Sequence, residues 1–481
     1  MDAPLAEVST GSLRGATHEG INRFLGVPYA AAPQRFERPT PHPRWDGIRD
    51  ATAFGATAPQ APYGPGLAKV LPTVIVEGDN CLNLNVWTPS GAAALPVMVW
   101  VHGGGLMHGS NALAGYDGTA FARDGVVFVA LNYRLGAEGF SVLDDAPTNI
   151  GLSDVVAGLE WVQREITAFG GDPGNVTVFG QSAGSFLLGA LLAHPKAHTM
   201  FNRAILQSGA PTARPLDQAK KITTRMAKRL GIPTRRSAFA QLTPAELLEA
   251  QEQVTAGTSP ITGGAGFSLA IGDDLIPRDP MEAIVAGAGR DIPLLIGSTT
   301  EEYRLWFIPT GLIDRISATL FTAARVRFRI GRQILGKYRA NRPGASRGEL
   351  FGVLATDILL RLPINRIADA RLASAAPTYV YEFAWRSPVQ ELGAAHAVEL
   401  GFVFDGLARS DSIALAGATA PQQLANEMHA AWVAFATTGT PGWTAWNDTR
   451  PVQVFDSPAS AVINAPREDE RAVWDHPSTG S

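Results

Sequence analysis

The residues with the clearest chemical potential form the segment Gly180-Gln181-Ser182-Ala183-Gly184, a G-x-S-x-G pattern. Residues 176–179, VTVF, are β-branched or aromatic and predict a buried strand before it, and residues 186–192 predict a helix after it. A strand, a sharp turn and a helix are the setting of a nucleophile elbow, in which small residues flank an exposed serine. The sequence therefore predicts Ser182 as a nucleophile, although the pattern alone also occurs in ordinary loops.

A serine hydroxyl needs a base in order to attack at neutral pH, and the base needs an orienting acid. After a nucleophile elbow the acid comes next along the chain, followed by the histidine. His194 and His198 come too soon after the elbow to follow a separate acid. His476 lies in a polar tail, and His429 lies in an Ala-rich helical run. His396, in a loop of small residues after a predicted strand, is the preferred base.

The acid is expected at a strand end between the serine and the base. Residues 294–302, LLIGSTTEE, place Glu301 and Glu302 at the end of a predicted strand. The residues alone do not separate these two, and either could instead cap the helix beyond. Asp273 and Asp274 lie further from any clear strand end.

A glycine-rich loop follows the predicted strand 96–101 and reads His102-Gly103-Gly104-Gly105. In α/β-hydrolases a loop of this type supplies backbone N–H donors to the oxyanion of an acyl-transfer reaction. We predict the N–H groups of Gly104, Gly105 and Ala183 as the oxyanion hole; a merely flexible loop is the alternative. His102 is interpreted as structural.

The wider pattern of elements predicts an α/β protein with a mainly parallel central sheet and helices on both faces. Residues 5–30 alternate as small antiparallel strands would, and the stretches 211–290 and 305–375 have a helical composition. We interpret these two stretches as helical insertions and expect them to roof the pocket. We predict a single α/β-hydrolase domain over residues 1–481, with a loosely held tail from about Arg467. The other predicted strands are 81–89, 126–133, 204–209, 293–297 and 378–385, and the other predicted helices are 152–169 and 428–435.

Composition excludes several classes of protein. The net charge of −4 over 481 residues gives no electrostatic reason to bind nucleic acid or an anionic membrane, and no apolar run has the length of a membrane span. The single cysteine, Cys81, precludes an intramolecular disulfide and favours a reducing compartment. The first ten residues lack the basic and apolar regions of a signal peptide. We predict a cytoplasmic protein, a monomer or weak homodimer, and leave open a secreted form whose signal has been removed.

Longer stretches resemble the type-B carboxylesterases, the family of bacterial para-nitrobenzyl esterases, animal carboxylesterases and cholinesterases. The resemblance covers about residues 8–455. It rests on FLGVPYAAAPQRFERP (24–39), DNCLNLNVWTP (79–89), VHGGG (101–105), LNYRLGAEGF (131–140), the elbow with the helix before it (149–185), ILQSGAP (205–211), GSTTEE (297–302) and HAVELGFVF (396–404).

The resemblance implies site residues. The acid of the family falls on Glu302, its histidine on His396, and its two loop glycines on Gly104 and Gly105. It therefore favours Glu302 where the residues alone left two glutamates open.

Four further positions are assigned by the resemblance only. Ser208 and Glu399 match residues that support the triad in the family, and Arg35 and Asp79 match a structural ion pair.

The sequence also departs from the family pattern. Tyr303 replaces the glycine that usually follows the acid, so a different loop shape is expected. Leu106 replaces the usual aromatic residue after the glycines, which predicts a wider pocket mouth. Gln181 stands where animal members usually have glutamate, and Cys81 lacks the disulfide partner of the animal members.

The predicted function is a serine carboxylic ester hydrolase that forms an acyl-enzyme on Ser182 with a small-molecule ester and needs no metal or cofactor. An amide, carbamate or thioester hydrolase could use the same residues, and a catalytically silent binding protein is a third alternative. His194 and His198 have the spacing of a zinc pair, but no third ligand is evident from the sequence.

Overall fold

The structure, a computed structural model, describes residues 3–256 and 266–475. Its strands are β1 (Leu5–Val8), β2 (Gly11–Arg14), β3 (Ala16–His18), β4 (Ile21–Pro28), β5 (Ile48–Asp50), β6 (Asn83–Pro89), β7 (Leu95–Val101), β8 (Val127–Leu131), β9 (Gly171–Gln181), β10 (Arg203–Gln207), β11 (Arg214–Pro215), β12 (Ala270–Ile271), β13 (Leu294–Thr299), β14 (Thr378–Phe383), β15 (Pro451–Phe455) and β16 (Ala461–Asn464).

The helices follow the strands on the central sheet or fill the two long insertions. They are α1 (Thr119–Arg123), α2 (Gly136–Phe140), α3 (Ile150–Glu165), α4 (Ala183–Leu192), α5 (Leu216–Leu230), α6 (Arg236–Phe239), α7 (Pro244–Thr255), α8 (Pro280–Val285), α9 (Arg304–Phe307), α10 (Leu312–Arg315), α11 (Ala318–Arg327), α12 (Arg332–Ala340), α13 (Arg347–Thr356), α14 (Leu362–Ala370), α15 (Leu400–Val403), α16 (Ser410–Ala416), α17 (Gln422–Thr438) and α18 (Glu468–Asp475).

The central sheet has eleven strands in the order β16-β15-β14-β13-β10-β9-β7-β8-β6-β4-β3. The strands from β8 to β15 pair in parallel, whereas the pairs at both edges are antiparallel. Strand β8 is buried at every residue, as expected of a parallel strand with helices on both faces of its sheet. The predicted mainly parallel sheet of an α/β-hydrolase is confirmed.

A small separate sheet lies near the N-terminus. Its strands β1 and β2 pair antiparallel, as predicted, and β5 joins β2 in parallel. Strands β3 and β4, which the sequence placed in the same group of small strands, instead extend the edge of the central sheet.

The predicted helical insertions are confirmed. Helices α5 to α8 lie within 211–290, and α9 to α14 lie within 305–375 apart from the first residue of α9. Residue 357 begins a short π-helical turn, Asp357–Arg361, between α13 and α14. None of the helices in the described ranges combines the length and the apolar character that a membrane crossing needs.

The expectation of a loosely held tail is wrong for residues 467–475. This segment contains α18, in which Glu470 is only 1 % exposed, and Arg467 forms an ion pair with Glu382. The polar residues that suggested a solvated tail are instead paired with charged groups of the body. His476 lies outside the described residues.

The ion pair inferred for Arg35 is also corrected. Arg35 pairs with Glu138 of α2, to which its Nε atom donates over 2.7 Å, rather than with Asp79. Asp79 is exposed. The carboxylate that pairs with Arg35 comes from Glu138, which lies in the segment 131–140. The contact therefore joins the N-terminal loop to α2.

Candidate active site

Ser182 occupies the sharp turn between β9 and α4, as the sequence predicted. Its backbone has φ 55° and ψ −119°, a conformation that non-glycine residues rarely adopt outside such turns. A Cβ atom on Gly184 would lie 2.0 Å from the carbonyl oxygen of Val101, and one on Gly180 would lie 2.8 Å from the backbone of Gly184. The crossing backbones therefore require glycine on both sides of the serine.

The predicted base and acid are in contact. His396 Nδ1 forms a short hydrogen bond with Glu302 Oε2, and both side chains are buried. The other carboxylate oxygen, Oε1, accepts from the backbone N–H of Thr299 over 2.7 Å. Glu302 is therefore fixed at the end of β13 and holds the imidazole that follows β14.

Glu301 faces a different part of the molecule. Its carboxylate accepts from the backbone N–H of Ala394 over 3.0 Å and pairs with Arg386 at 2.6 Å. Adjacent side chains here point to opposite sides of the loop, so only Glu302 reaches the imidazole. This contact distinguishes the two glutamates that the residues alone left open.

The imidazole of His396 also contacts Gln181 and Trp306, two side chains that the sequence analysis did not assign to the site. Its Nε2 atom lies 3.0 Å from Gln181 Nε2, and Trp306 packs beside the ring with the centroids 4.7 Å apart. Within residues 3–256 and 266–475 no hydrogen bond joins the Ser182 hydroxyl to His396. The available signals were positional: Gln181 directly precedes the serine, and Trp306 follows Glu302 by about one helical turn.

The glycine loop after β7 turns sharply and has positive φ angles at Gly104 and Gly105. Gly104 has φ 108°, and a Cβ atom there would lie 2.0 Å from the carbonyl oxygen of His108. Among the described residues, the N–H groups of Gly104 and Gly105 donate to no backbone acceptor. Ala183 begins α4, where an N–H group has no acceptor within the helix. The N–H groups of all three residues therefore lack a backbone acceptor among the described residues.

His102 is buried beside this loop and stacks on Tyr133, with the ring centroids 4.6 Å apart. Its Nδ1 atom lies 2.8 Å from the carbonyl oxygen of Gly103. Burial lowers the pKa of His102 to about 4, so the ring is neutral at physiological pH. These contacts agree with the structural role expected for it.

Ser208 and Glu399 lie close to the site. Ser208 lines the same cavity as Ser182, and its backbone N–H donates to Gly297 O over 2.8 Å. Glu399 is fully buried, and burial together with the nearby charge of Glu302 raises its pKa to about 8. Glu399 is therefore mostly protonated at neutral pH and adds little negative charge beside Glu302.

A cavity of about 930 Å³ contains Ser182, Glu302 and His396 in its lining, together with Gly105 and Leu106 of the glycine loop. Both helical insertions contribute to its walls, through residues 266–282 and 355–369. Parallel α/β sheets bind ligands at the carboxyl ends of their strands, and this cavity lies at the ends of β9, β13 and β14. The arrangement suits an acyl-transfer reaction on an organic substrate.

No group of three or more His, Cys, Asp and Glu side chains is arranged as a metal site in the described part of the chain. Cys81 is buried, and burial raises its pKa to about 12, which keeps it as an unreactive thiol.

Comparison with known proteins places this site in a family. The sequence model of the carboxylesterase family matches residues 2–457. The chain is 35% identical to the para-nitrobenzyl esterase of Bacillus subtilis over 480 residues, which cover 96% of each chain. It is 34% identical to the phenmedipham hydrolase of Pseudarthrobacter oxydans over 91% of this chain and 90% of that one. It is 32% identical to human carboxylesterase 3, and this match covers 91% of this chain and 83% of the human protein.

The crystal structure of the Geobacillus stearothermophilus carboxylesterase has a TM-score of 0.87 to this chain at 35% identity, and the match covers 98% of this chain and 99% of that one. A para-nitrobenzyl esterase structure matches with a TM-score of 0.84 at 32% identity over the same shares. The chain therefore belongs to the carboxylesterase family and is a carboxylic ester hydrolase.

Proposed function

We propose that Ser182, His396 and Glu302 form the catalytic triad of this hydrolase and that Gly104, Gly105 and Ala183 form its oxyanion hole. The observation that carries the proposal is the hydrogen bond between His396 and Glu302 beside the strained turn of Ser182, in one cavity. The substrate is a small-molecule carboxylic ester.

In the first half of the reaction Ser182 Oγ attacks the ester carbonyl while His396 Nε2 takes its proton. Glu302 holds the imidazole with its proton on Nδ1 and stabilises the imidazolium that forms. The free N–H groups of the glycine loop and of Ala183 bind the oxyanion of the tetrahedral intermediate. His396 then returns the proton to the leaving alcohol, and the acyl group stays on Ser182.

In the second half a water molecule attacks the acyl-enzyme while His396 takes its proton; His396 then returns this proton to Ser182 Oγ as the carboxylic acid leaves. Proton transfer through His396 requires the Gln181 amide to release Nε2, since the two nitrogen atoms lie 3.0 Å apart. A small movement of the Gln181 side chain is therefore part of the proposed cycle.

Covalent labelling tests the assignment of the nucleophile. Diethyl p-nitrophenyl phosphate should transfer one diethylphosphoryl group to Ser182 Oγ and release one p-nitrophenolate per chain, with loss of esterase activity. Peptide mass spectrometry locates the label.

Ser185→Ala is the matched control, because Ser185 lies one helical turn further on and its hydroxyl donates to Gly209 O over 2.6 Å. This variant should still be labelled on Ser182. A label on any other residue that accounts for the loss of activity would contradict the proposed nucleophile.

A further inference from the structure

The C-terminal helix α18 forms part of the wall of the cavity that contains Ser182. Arg471, Trp474 and Asp475 line this cavity together with Ser182 and His396. The helix follows the last strand of the sheet, and its residues are far from the elbow in sequence. Its position therefore depends on the contacts that hold it against the body.

A buried carboxylate holds the helix in place. Glu470 is 1 % exposed, and it accepts from Asn341 Nδ2 over 2.9 Å and from Arg342 Nη2 over 3.1 Å. Arg361, at the end of the π-helical turn, lies 3.8 Å from the same carboxylate. Separating a buried carboxylate from such partners costs free energy, so the network favours one position of α18 over others.

Trp474 gives this wall its chemical character. Its Nε1 atom donates to the hydroxyl of Tyr338 over 3.0 Å, so the polar edge of the indole is already paired. Its ring packs on the apolar cluster formed by the second insertion. The ring surface that faces the cavity is therefore apolar. The hydrogen bond to Tyr338 and the apolar cluster hold the ring in place.

The charged side chains of α18 near Trp474 are paired with one another. Arg471 donates to Glu468 over 2.6 and 2.9 Å and to Asp475 over 2.7 Å. Ile358, Leu359 and Leu362 add aliphatic side chains to the same lining, which also includes Asn365, Arg366 and Asp369. The indole and these aliphatic side chains offer a contact surface to an apolar group.

The size of the cavity indicates which substrates can contact α18. Sites for drug-sized ligands usually have volumes of about 300–1,000 Å³, and this cavity of about 930 Å³ lies near the top of that range. A small acetate ester bound at Ser182 fills only a fraction of it. A bulky substrate bound at Ser182 fills more of the cavity and so reaches more of its lining than an acetate ester does.

We propose that α18 is the specificity wall for esters with a bulky apolar group, and that Trp474 contacts the part of the substrate remote from the ester bond. This inference rests on the proposed function of the Ser182 site. Trp474 takes no part in the chemical steps; it contributes binding that is the same in the ground state and the transition state, which changes KM rather than kcat.

The test compares Trp474→Ala with the wild type on two series of substrates. One series varies the acyl group from p-nitrophenyl acetate to octanoate and 4-phenylbutyrate, and the other varies the alcohol from ethyl to 2-naphthyl acetate. For each substrate, the kcat/KM of the variant is divided by that of the wild type. This ratio should be about tenfold lower for the bulky members of one series than for its small members, mainly because KM rises. The series affected shows which side of the ester faces α18.

Two further variants separate a binding role from loss of folding. Trp474→Phe keeps an aromatic ring and should recover most of the discrimination. Trp385→Ala removes a partly buried tryptophan that packs on Phe402, outside the cavity, and its ratio should not depend on substrate size.

A ratio for Trp474→Ala that is equal for small and bulky esters would overturn the inference while leaving the proposed function intact. Absence of Ser182-dependent turnover of acetate esters in the wild type would instead overturn the proposed function and this inference with it.

Discussion

His396 is the residue on which the chemistry depends, and three side chains surround its ring. Glu302 bonds Nδ1, Gln181 lies at Nε2, and Trp306 covers one side. A carboxylate acceptor at Nδ1 and an amide donor at Nε2 both favour the tautomer with its proton on Nδ1. That tautomer leaves Nε2 without a proton, so this atom can accept one from a nucleophile once the Gln181 amide has moved away.

The neutral amide of Gln181 keeps negative charge away from Nε2. Gln181→Glu would place a buried carboxylate about one hydrogen bond from the ring and so stabilise the imidazolium, which cannot act as a base. The acid limb of the pH profile of kcat/KM should therefore move up by about one pH unit or more. Gln181→Met, which is neutral and of similar length, should leave the limb in place; identical limbs in the two variants would disprove this charge effect.

Glu399 should make stability depend on pH. Its pKa is raised to about 8, so the folded protein keeps a proton that the unfolded chain loses above its ordinary value near 4.5. Stability from this group is therefore lost as pH rises between about 4.5 and 8, at up to about 1.4 kcal/mol per pH unit. Glu399→Gln should remove this loss and so be more stable than the wild type at pH 8.

Urea unfolding at pH 5 and pH 8 measures the effect of Glu399→Gln. Glu160→Gln, at an exposed position of α3, should leave the pH dependence of the wild type unchanged. If the free energy of unfolding changes equally between pH 5 and pH 8 in the wild type and in Glu399→Gln, Glu399 does not hold the extra proton.

At the scale of elements, the elbow could be predicted from the sequence because its requirements are local. A β-branched strand, two glycines around a serine and a helix-forming run describe β9, the turn and α4 without distant partners. The position of α18 could not be predicted in this way, since it depends on contacts such as Glu470 with Arg342, 128 positions apart. A polar segment has the same composition whether its charges are solvated or paired.

The elbow should not tolerate a side chain at Gly184. Its Cβ atom would lie 2.0 Å from Val101 O, which belongs to the neighbouring strand β7 and cannot move independently. Gly184→Ala should therefore reduce soluble yield or esterase activity at least tenfold. Gly336 of α12 has open space around it, so Gly336→Ala should keep full activity and gain up to about 1 kcal/mol of stability. Equal behaviour of the two variants would contradict the packing argument.

At the scale of the whole molecule, the site combines residues that are distant in sequence. Ser182, Glu302 and His396 follow β9, β13 and β14, and parallel pairing through β10 brings the carboxyl ends of these strands to one edge. The sequence predicted that the acid lies at a strand end between the serine and the base. The residues alone could not choose between Glu301 and Glu302, and only the family resemblance favoured Glu302, because that choice depends on how one loop turns in three dimensions.

A buried ion pair ties the loop after β8 to α3. Arg134 and Asp154 are 2 % and 0 % exposed, and Arg134 Nε and Nη2 donate to the carboxylate over 2.8 and 2.6 Å. Asp154→Ala leaves a buried guanidinium without its carboxylate and should cost about 3–5 kcal/mol of unfolding free energy, measured in urea. Asp50→Ala breaks the exposed Arg14–Asp50 pair and should cost no more than about 1 kcal/mol; similar losses would contradict this account of the core.

The most direct test of the account is the initial rate of p-nitrophenyl butyrate hydrolysis by the wild type and by Ser182→Ala, with circular dichroism to confirm that both are folded. The proposed triad predicts hydrolysis by the wild type and a fall of roughly 10⁴-fold or more in kcat for the variant. A folded Ser182→Ala protein that retains the wild-type rate would contradict the central claim, since ester hydrolysis would then proceed without the elbow serine.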